Sequence, residues 1–162
     1  MNIEGHTAWV TGAGSGLGEA TARELARLGA RVAVLDINPT NADKVAADIQ
    51  RTHGADRSVA CACDITDTAS LQAALDQATT ALGPARMLMN IAGIGTAKRI
   101  VAKDGSPAPL EDFVRVVNVN LIGAYNASRL FAAACAKLAP LEDGERGVML
   151  FTASVAAFDG QV

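Results

Sequence analysis

The sequence predicts an α/β protein: a doubly wound parallel sheet with helices on both faces. Three observations carry that expectation. Short apolar runs alternate with longer amphipathic stretches along the whole 162 residues, and helix-length segments between apolar runs mark strand–helix–strand units rather than hairpins. The runs themselves are apolar on both faces, as interior strands of a parallel sheet are. Half of the residues are hydrophobic but only 4% are aromatic, so the core is expected to consist of small and aliphatic side chains packed closely between helices and sheet. Right-handed crossovers then complete the doubly wound arrangement.

The elements follow in order. Thr7-Ala8-Trp9-Val10-Thr11 is the first strand, and residues 16–28 show helical spacing at Leu17, Thr21, Leu25 and Leu28, with Gly29 placed as a helix C-terminal glycine. Residues 31–35 form the second strand and 41–52 the second helix. Residues 58–63 form the third strand; Asp67 or Thr68 can cap a helix that Gly83-Pro84 stops. Residues 87–90 make the fourth strand, 95–109 a polar loop, 110–138 one long helix, and 147–152 the fifth strand. With nothing in these 162 residues to pair beside the fifth strand, the chain reads as the front portion of a longer single-domain protein.

Charge and cysteine usage exclude several classes. Fourteen Lys plus Arg against seventeen Asp plus Glu give a net charge of −3, unlike the basic excess of a general nucleic-acid binder. No apolar run approaches the ~20 residues that span a bilayer, and the first residues show no secretory signal. Three cysteines, an odd number without framework spacing, suit a reducing compartment, so a cytoplasmic protein is expected. Cys61 and Cys63 are read as buried structural thiols, Met87 and Met89 as core; no metal site is expected, since neither His6 nor His53 is suitably spaced.

The chemistry concentrates at the strand ends. Thr11-Gly12-Ala13-Gly14-Ser15-Gly16-Leu17-Gly18 joins the first strand to the first helix. A turn so rich in glycine lets backbone amides approach a ligand at a helix N-terminus, where unpaired N–H groups and the dipole favour a pyrophosphate. Asp36 ends the second strand, 18 residues after Gly18, near the ~20 expected of the acid that binds an adenosine ribose. A carboxylate there accepts both ribose hydroxyls and repels a 2′-phosphate. With Ile37-Asn38-Pro39 following and Ser15 in the turn, the choice falls on NAD over NADP.

Together these residues resemble the short-chain dehydrogenase/reductase family. The resemblance rests on the Thr11–Gly18 turn, Asp64 after the third strand, Asn90-Ile91-Ala92-Gly93 after the fourth, Asn120 within Asn118-Val119-Asn120-Leu121, and Ser154 after the fifth. Residues 146–162 are similar to a subgroup that acts on 3-hydroxyacyl-CoA thioesters and also on short-chain alcohols and steroids. The resemblance implies that residues 1–162 are an NAD-binding Rossmann-like domain of a homotetrameric oxidoreductase. It assigns Gly12, Gly16 and Gly18 to the cofactor turn, Asp64 and Ile65 to the adenine, and Ser15, Leu17 and Ile91, with Ala92 and Gly93, to the cofactor lining. Asn90 would tie strands together through its amide. Ser154 would hydrogen-bond the substrate oxygen, and Asn120 would sit at a helix kink and hold a water of the proton relay.

The family's general acid/base, a tyrosine with a lysine four residues later, is not among these residues. Eight residues follow Ser154 and none is Tyr or Lys. The one tyrosine, Tyr125, has Arg129 four residues on, which imitates the spacing without the chemistry; it is read as a packing residue. Two functions therefore stand side by side. One is an NAD-dependent dehydrogenase of secondary alcohols, of which residues 1–162 alone are expected to be inactive, with Lys98, Arg99 and Lys103 as candidate contacts for CoA phosphates. The other is a non-catalytic dinucleotide-binding module or sensor.

Overall fold

The computed structural model describes residues 2–96 and 98–159; Gly160, Gln161 and Val162, the end of the stretch that carries the subgroup resemblance, lie outside them. Five parallel strands are present: β1 (Thr7–Thr11), β2 (Arg31–Asp36), β3 (Ser58–Ala62), β4 (Ala85–Asn90) and β5 (Val148–Phe151). Their order is β3-β2-β1-β4-β5. The chain winds outward from β1 to β3, then returns to β4 on the other side. The carboxyl ends of β1 and β4 flank this reversal, and open α/β sheets bind ligands in the crevice there.

Helices cover both faces. The helices α1 (Gly16–Arg27) and α2 (Pro39–His53) pack on one side, where Val10, Val32, Val34, Met87 and Met89 meet Ala22, Leu25, Val45 and Ile49. On the other side α3 (Thr68–Leu82) and α5 (Ala124–Cys135) bury Trp9, Leu35, Cys61 and Leu88 against Leu71, Leu75, Ala127 and Phe131. As composition suggests, aliphatic and small residues dominate, with the single Trp9–Phe131 edge-on pair at 5.6 Å.

Several boundaries and faces differ from the sequence expectation. The buried face of α1 is Gly18, Ala22, Leu25 and Ala26, not Leu17–Thr21–Leu25–Leu28; Leu17 is 72% exposed. Gly18 must lie against the glycine turn, and that contact fixes the rotation of the helix and swings Leu17 outward. Gly29, at φ +89°, ends α1 as expected, with Ala30 N–H bonded back to Leu25 and Gly29 N–H to Ala26. Helix α2 starts earlier than residue 41, because Pro39 occupies its first turn and the Asn38 side chain accepts from Asn41 N–H.

The expected long helix over 110–138 is two helices joined by a widened turn. Helix α4 (Leu110–Val117) runs into a π-helical segment, Asn118–Gly123, then α5, which ends at Cys135. Apolar periodicity cannot reveal the extra residue in the turn, since the pattern continues through it. Tyr125, expected to pack, is 68% exposed on α5. With Phe113, Leu121 and Ile122 it leaves an apolar outer face, and all four residues of β5 are exposed as well. Among the described residues no helix is long and apolar enough to cross a membrane.

The Asp67 side chain, rather than Thr68, caps α3: its Oδ1 accepts from Ala69 N–H at 2.7 Å and Ser70 N–H at 3.0 Å. Asp67→Ala is expected to lower stability by about 1 kcal/mol, read as a lower urea midpoint at unchanged slope, while Asp67→Asn recovers most of it.

Candidate cofactor site

The turn between β1 and α1 is shaped by backbone approaching backbone. A side chain at Gly18 would place its Cβ 2.0 Å from the Gly12 carbonyl oxygen, and one at Gly12 (φ +66°) would lie 2.7 Å from Ala92 Cα. Both positions therefore require glycine. A Cβ at Gly14 would meet the Asp36 carboxyl at 2.8 Å, so bare backbone is needed there too. Ser15 stands at the N-cap of α1 but its side chain makes no capping bond, whereas Asn38 and Asp67 cap α2 and α3. The first amides of α1 are left to an outside acceptor, and a bare turn feeding an uncapped helix N-terminus fits a diphosphate.

Asp36 closes the next wall. Its Oδ2 accepts from Gly14 N–H at 2.8 Å and its Oδ1 from Asn38 N–H at 2.9 Å. The carboxylate is thus held beside the glycine turn, with lone pairs remaining for a ligand's hydroxyls. Beyond β3, Asp64 Oδ1 accepts both the Thr66 N–H (2.8 Å) and hydroxyl (2.7 Å), shaping the turn that carries Ile65. The π-helical segment braces this turn: a Cβ at Gly123 would strike Ile65 Cδ1 at 2.7 Å.

Thr11 organises the fourth wall, a role the sequence reading missed although a hydroxyl directly before the glycine turn was a visible signal. Its hydroxyl donates to the Met89 carbonyl at 3.3 Å and accepts Ile91 and Ala92 N–H, both at 3.1 Å. Asn90 is buried, and its amide reaches Ser128 Oγ on α5 at 3.3 Å rather than a neighbouring strand. It therefore ties the sheet to the helix beneath; strand-to-loop linkage belongs to Thr11. The Asn120 side chain pairs twice with Ile94, accepting its N–H at 2.9 Å and donating to its carbonyl at 2.8 Å. That amide shapes the loop after β4 with one of its two N–H groups and its oxygen.

One cleft of about 890 Å³ brings together Gly12, Ser15, Gly16, Leu17, Gly18, Asp36, Asp64, Ile65, Ile91, Ala92 and Gly93. Asn90, Asn120 and Ser154 do not line it; Ser154 lies past β5, exposed, its Oγ accepting Ala156 N–H at 3.2 Å. The cleft also takes one face of α4 and its continuation, Leu110, Val114, Arg115 and Asn118, which the sequence reading passed over although the four- and three-residue spacing marks a single helical side. Ile94 was missed because nothing in its own identity signals the contact with Asn120. Lys98 forms an ion pair with Asp112 on α4, so that cation is not free to meet phosphates. Among the described residues no group of three or more His, Cys, Asp or Glu could hold a metal ion.

These walls, built on a doubly wound sheet, define a dinucleotide-binding fold of the dehydrogenase type, and comparison with known families makes the class specific. The family model for short chain dehydrogenase matches residues 6–162; the chain belongs to the short-chain dehydrogenase family. It is 39% identical over 161 residues to 3-hydroxyacyl-CoA dehydrogenase type-2 of Drosophila melanogaster, covering 99% of this chain and 61% of that protein. With the Bos taurus protein of the same name it shares 40% over 165 residues, covering 99% of this chain and 60% of the relative. The crystal structure of 3-hydroxyacyl-CoA dehydrogenase type-2 from Mycobacterium avium superposes with a TM-score of 0.87 at 36% identity, covering 98% of this chain and 59% of that one. A 3-ketoacyl-(acyl-carrier-protein) reductase from Brucella melitensis, solved with NADH, gives 0.85 at 33% identity, covering 98% and 61%. The chain spans about three fifths of the length of the curated relatives it matches.

Cys63 lines the cleft while nearly buried, and Cys61 is fully buried behind it. Burial pushes the Cys61 thiol up to about 11; burial, with Cys61, Asp36 and Asp64 nearby, pushes Cys63 up to about 12. Unfolded thiols ionise first, near pH ~8.5, while the folded ones stay protonated. Their contribution to stability is therefore full below that pH and is lost as pH rises through about 11 and 12. Urea unfolding across pH 8–11 is expected to show this decline, and the Cys61→Ala/Cys63→Ala double variant is expected to flatten part of it.

Proposed function

We propose that residues 1–162 form the NAD-binding portion of an oxidoreductase that transfers hydride between a secondary alcohol, a 3-hydroxyacyl-CoA thioester, and NAD. The observation that carries the reading is the Asp36 carboxylate, fixed by Gly14 and Asn38 amides at the wall of the cleft. There it would accept the two ribose hydroxyls and repel a 2′-phosphate. The uncapped start of α1 would hold the diphosphate, and the Asp64–Ile65 turn the adenine. Relatives solved with NADH support the cofactor, and the names of the sequence relatives support the substrate class. The cofactor, when bound, supplies the hydride acceptor or donor.

The chain's own residues would orient and polarise. Ser154 Oγ accepts the Ala156 N–H, which leaves its proton to donate to a substrate oxygen. Asn120 would act as a positioning group through Ile94, with its second amide N–H left for a water of the proton relay. Proton transfer near neutrality needs a base of suitable pKa, and the exposed Tyr125 has no lysine four residues on. Arg99 and Lys103 are the loop cations left to meet CoA phosphates once Lys98 is paired with Asp112. A homotetramer is proposed on the exposed apolar residues Phe113, Leu121, Ile122 and Tyr125, and a cytoplasmic site on the three buried free thiols.

Fluorescence titration tests the cofactor. NADH is expected to bind more tightly than NADPH, and Asp36→Ala to weaken NADH by about 1.5–3 kcal/mol; equal or tighter NADPH binding would overturn the assignment. Turnover tests the reaction. Residues 1–162 alone are expected to bind NADH without oxidising a 3-hydroxyacyl-CoA, because a missing acid/base costs ~10²–10⁴-fold in rate. The same residues continued to the full length of a relative are expected to form NADH. Binding without turnover in both would favour the non-catalytic module instead.

A further inference from the structure

We propose that Asn126 and Arg129, two residues of α5 outside the cleft, are positioning residues for adenine recognition; the inference rests on the cofactor reading above. Asn126 is 5% exposed. Its Nδ2 donates to the Ile65 carbonyl at 2.9 Å. Its Oδ1 accepts from Arg129 Nε at 3.0 Å and Nη2 at 2.7 Å, and from the Thr68 hydroxyl at 3.2 Å. Arg129 Nη2 also donates to Thr68 Oγ1 at 3.1 Å. One buried amide thus connects the turn after β3, the first turn of α3, and α5.

The guanidinium decides which way the amide points. An amide can be turned over with little change in shape, exchanging its oxygen for its nitrogen. Two donors from Arg129 and one from Thr68 converge on one end of Asn126, so that end must be the oxygen, and the N–H group must face Ile65. Without Arg129 the amide is free to turn and set its oxygen against the Ile65 carbonyl, which repels it. The charge also polarises Oδ1 and strengthens the donation from Nδ2. Among the described residues Arg129 hydrogen-bonds Asn126 and Thr68 rather than a carboxylate, so its charge is directed at this amide and hydroxyl.

Ile65 and its neighbours Asp64 and Thr66 line the cleft, and recognition elements must be held to within ~0.5 Å to work well. Ile65 is gripped twice from this side, through its carbonyl by Asn126 and through its side chain by Gly123. Loosening the first grip should disturb the adenine end and leave the opposite end of the cleft, held by Thr11 and Asn120, unchanged. A purely structural staple between α3 and α5 would not distinguish the two ends.

The test measures binding of AMP, nicotinamide mononucleotide and NADH to the 162-residue chain and to Arg129→Met, which is exposed and keeps the length of the side chain. Dissociation constants for AMP and NADH are expected to rise about tenfold, the share of one hydrogen bond, with nicotinamide mononucleotide unchanged. Amide hydrogen exchange at Thr66 is expected to accelerate without ligand present. Arg129→Lys should recover part of the loss, and Thr68→Ala, at the edge of the network, should show a smaller loss of the same pattern. Unchanged AMP binding, or equal losses for AMP and nicotinamide mononucleotide, would overturn the proposal, as would an unchanged Thr66 amide. Failure of the unsubstituted chain to bind AMP or NADH would overturn the cofactor reading itself, and this inference with it.

Discussion

The site depends on one backbone contact, the approach of Gly18 to the Gly12 carbonyl. Because no Cβ fits between them, the first turn of α1 lies directly on the end of β1. That closeness aims uncapped amides into the cleft, sets the rotation of α1, and puts Leu17 on the cleft wall rather than in the core. It also explains the small buried face of the helix: with Gly18, Ala22 and Ala26 inward, the whole element can settle near the sheet. A larger residue at Gly18, Ala22 or Ala26 would lift the helix and with it the amides.

The helical unit from Leu110 to Cys135 holds the opposite side. Its widened central turn carries Asn120, which grips Ile94 after β4, and Gly123, which seats Ile65 after β3. One element thus braces two loops that belong to different strands. An uninterrupted α-helix would rotate the residues after the insertion by a full position and could not keep both contacts. The cost of the irregular turn is offset by the two walls it fixes.

Much of this was legible in the sequence because it depends on residue type at fixed spacing. Five parallel strands, the glycine turn, Asp36 at the end of β2 and a cap at Asp67 or Thr68 all follow from local chemistry, and the structure places them where the pattern does, choosing Asp67 for the cap. What stayed hidden depends on contacts between distant segments. The inward face of α1 is chosen by Gly12, not by the apolarity of Leu17 and Leu28. The π-helical turn leaves no trace in an apolar pattern that runs through it. Asn90 bonds to a helix 38 residues further on, and Asn126 to a carbonyl 61 residues earlier; neither partner is marked by its own identity.

The strand order has a kinetic consequence. Strands β1, β2 and β3 pair with their sequence neighbours across single helical crossovers, whereas β1 meets β4 by joining Thr11 to Asn90. Closing so long a loop before its contacts reward it is the slow part of folding such a topology. The outer half-sheet with α1 and α2 is therefore expected to assemble first, with β4 docking afterwards along β1. The cleft straddles that seam: Gly12 and Asp36 lie on the early side, and Ile91 to Ile94 on the late side. A dinucleotide bound across it would touch both halves and slow their separation, so occupancy would be felt most strongly in the unfolding rate.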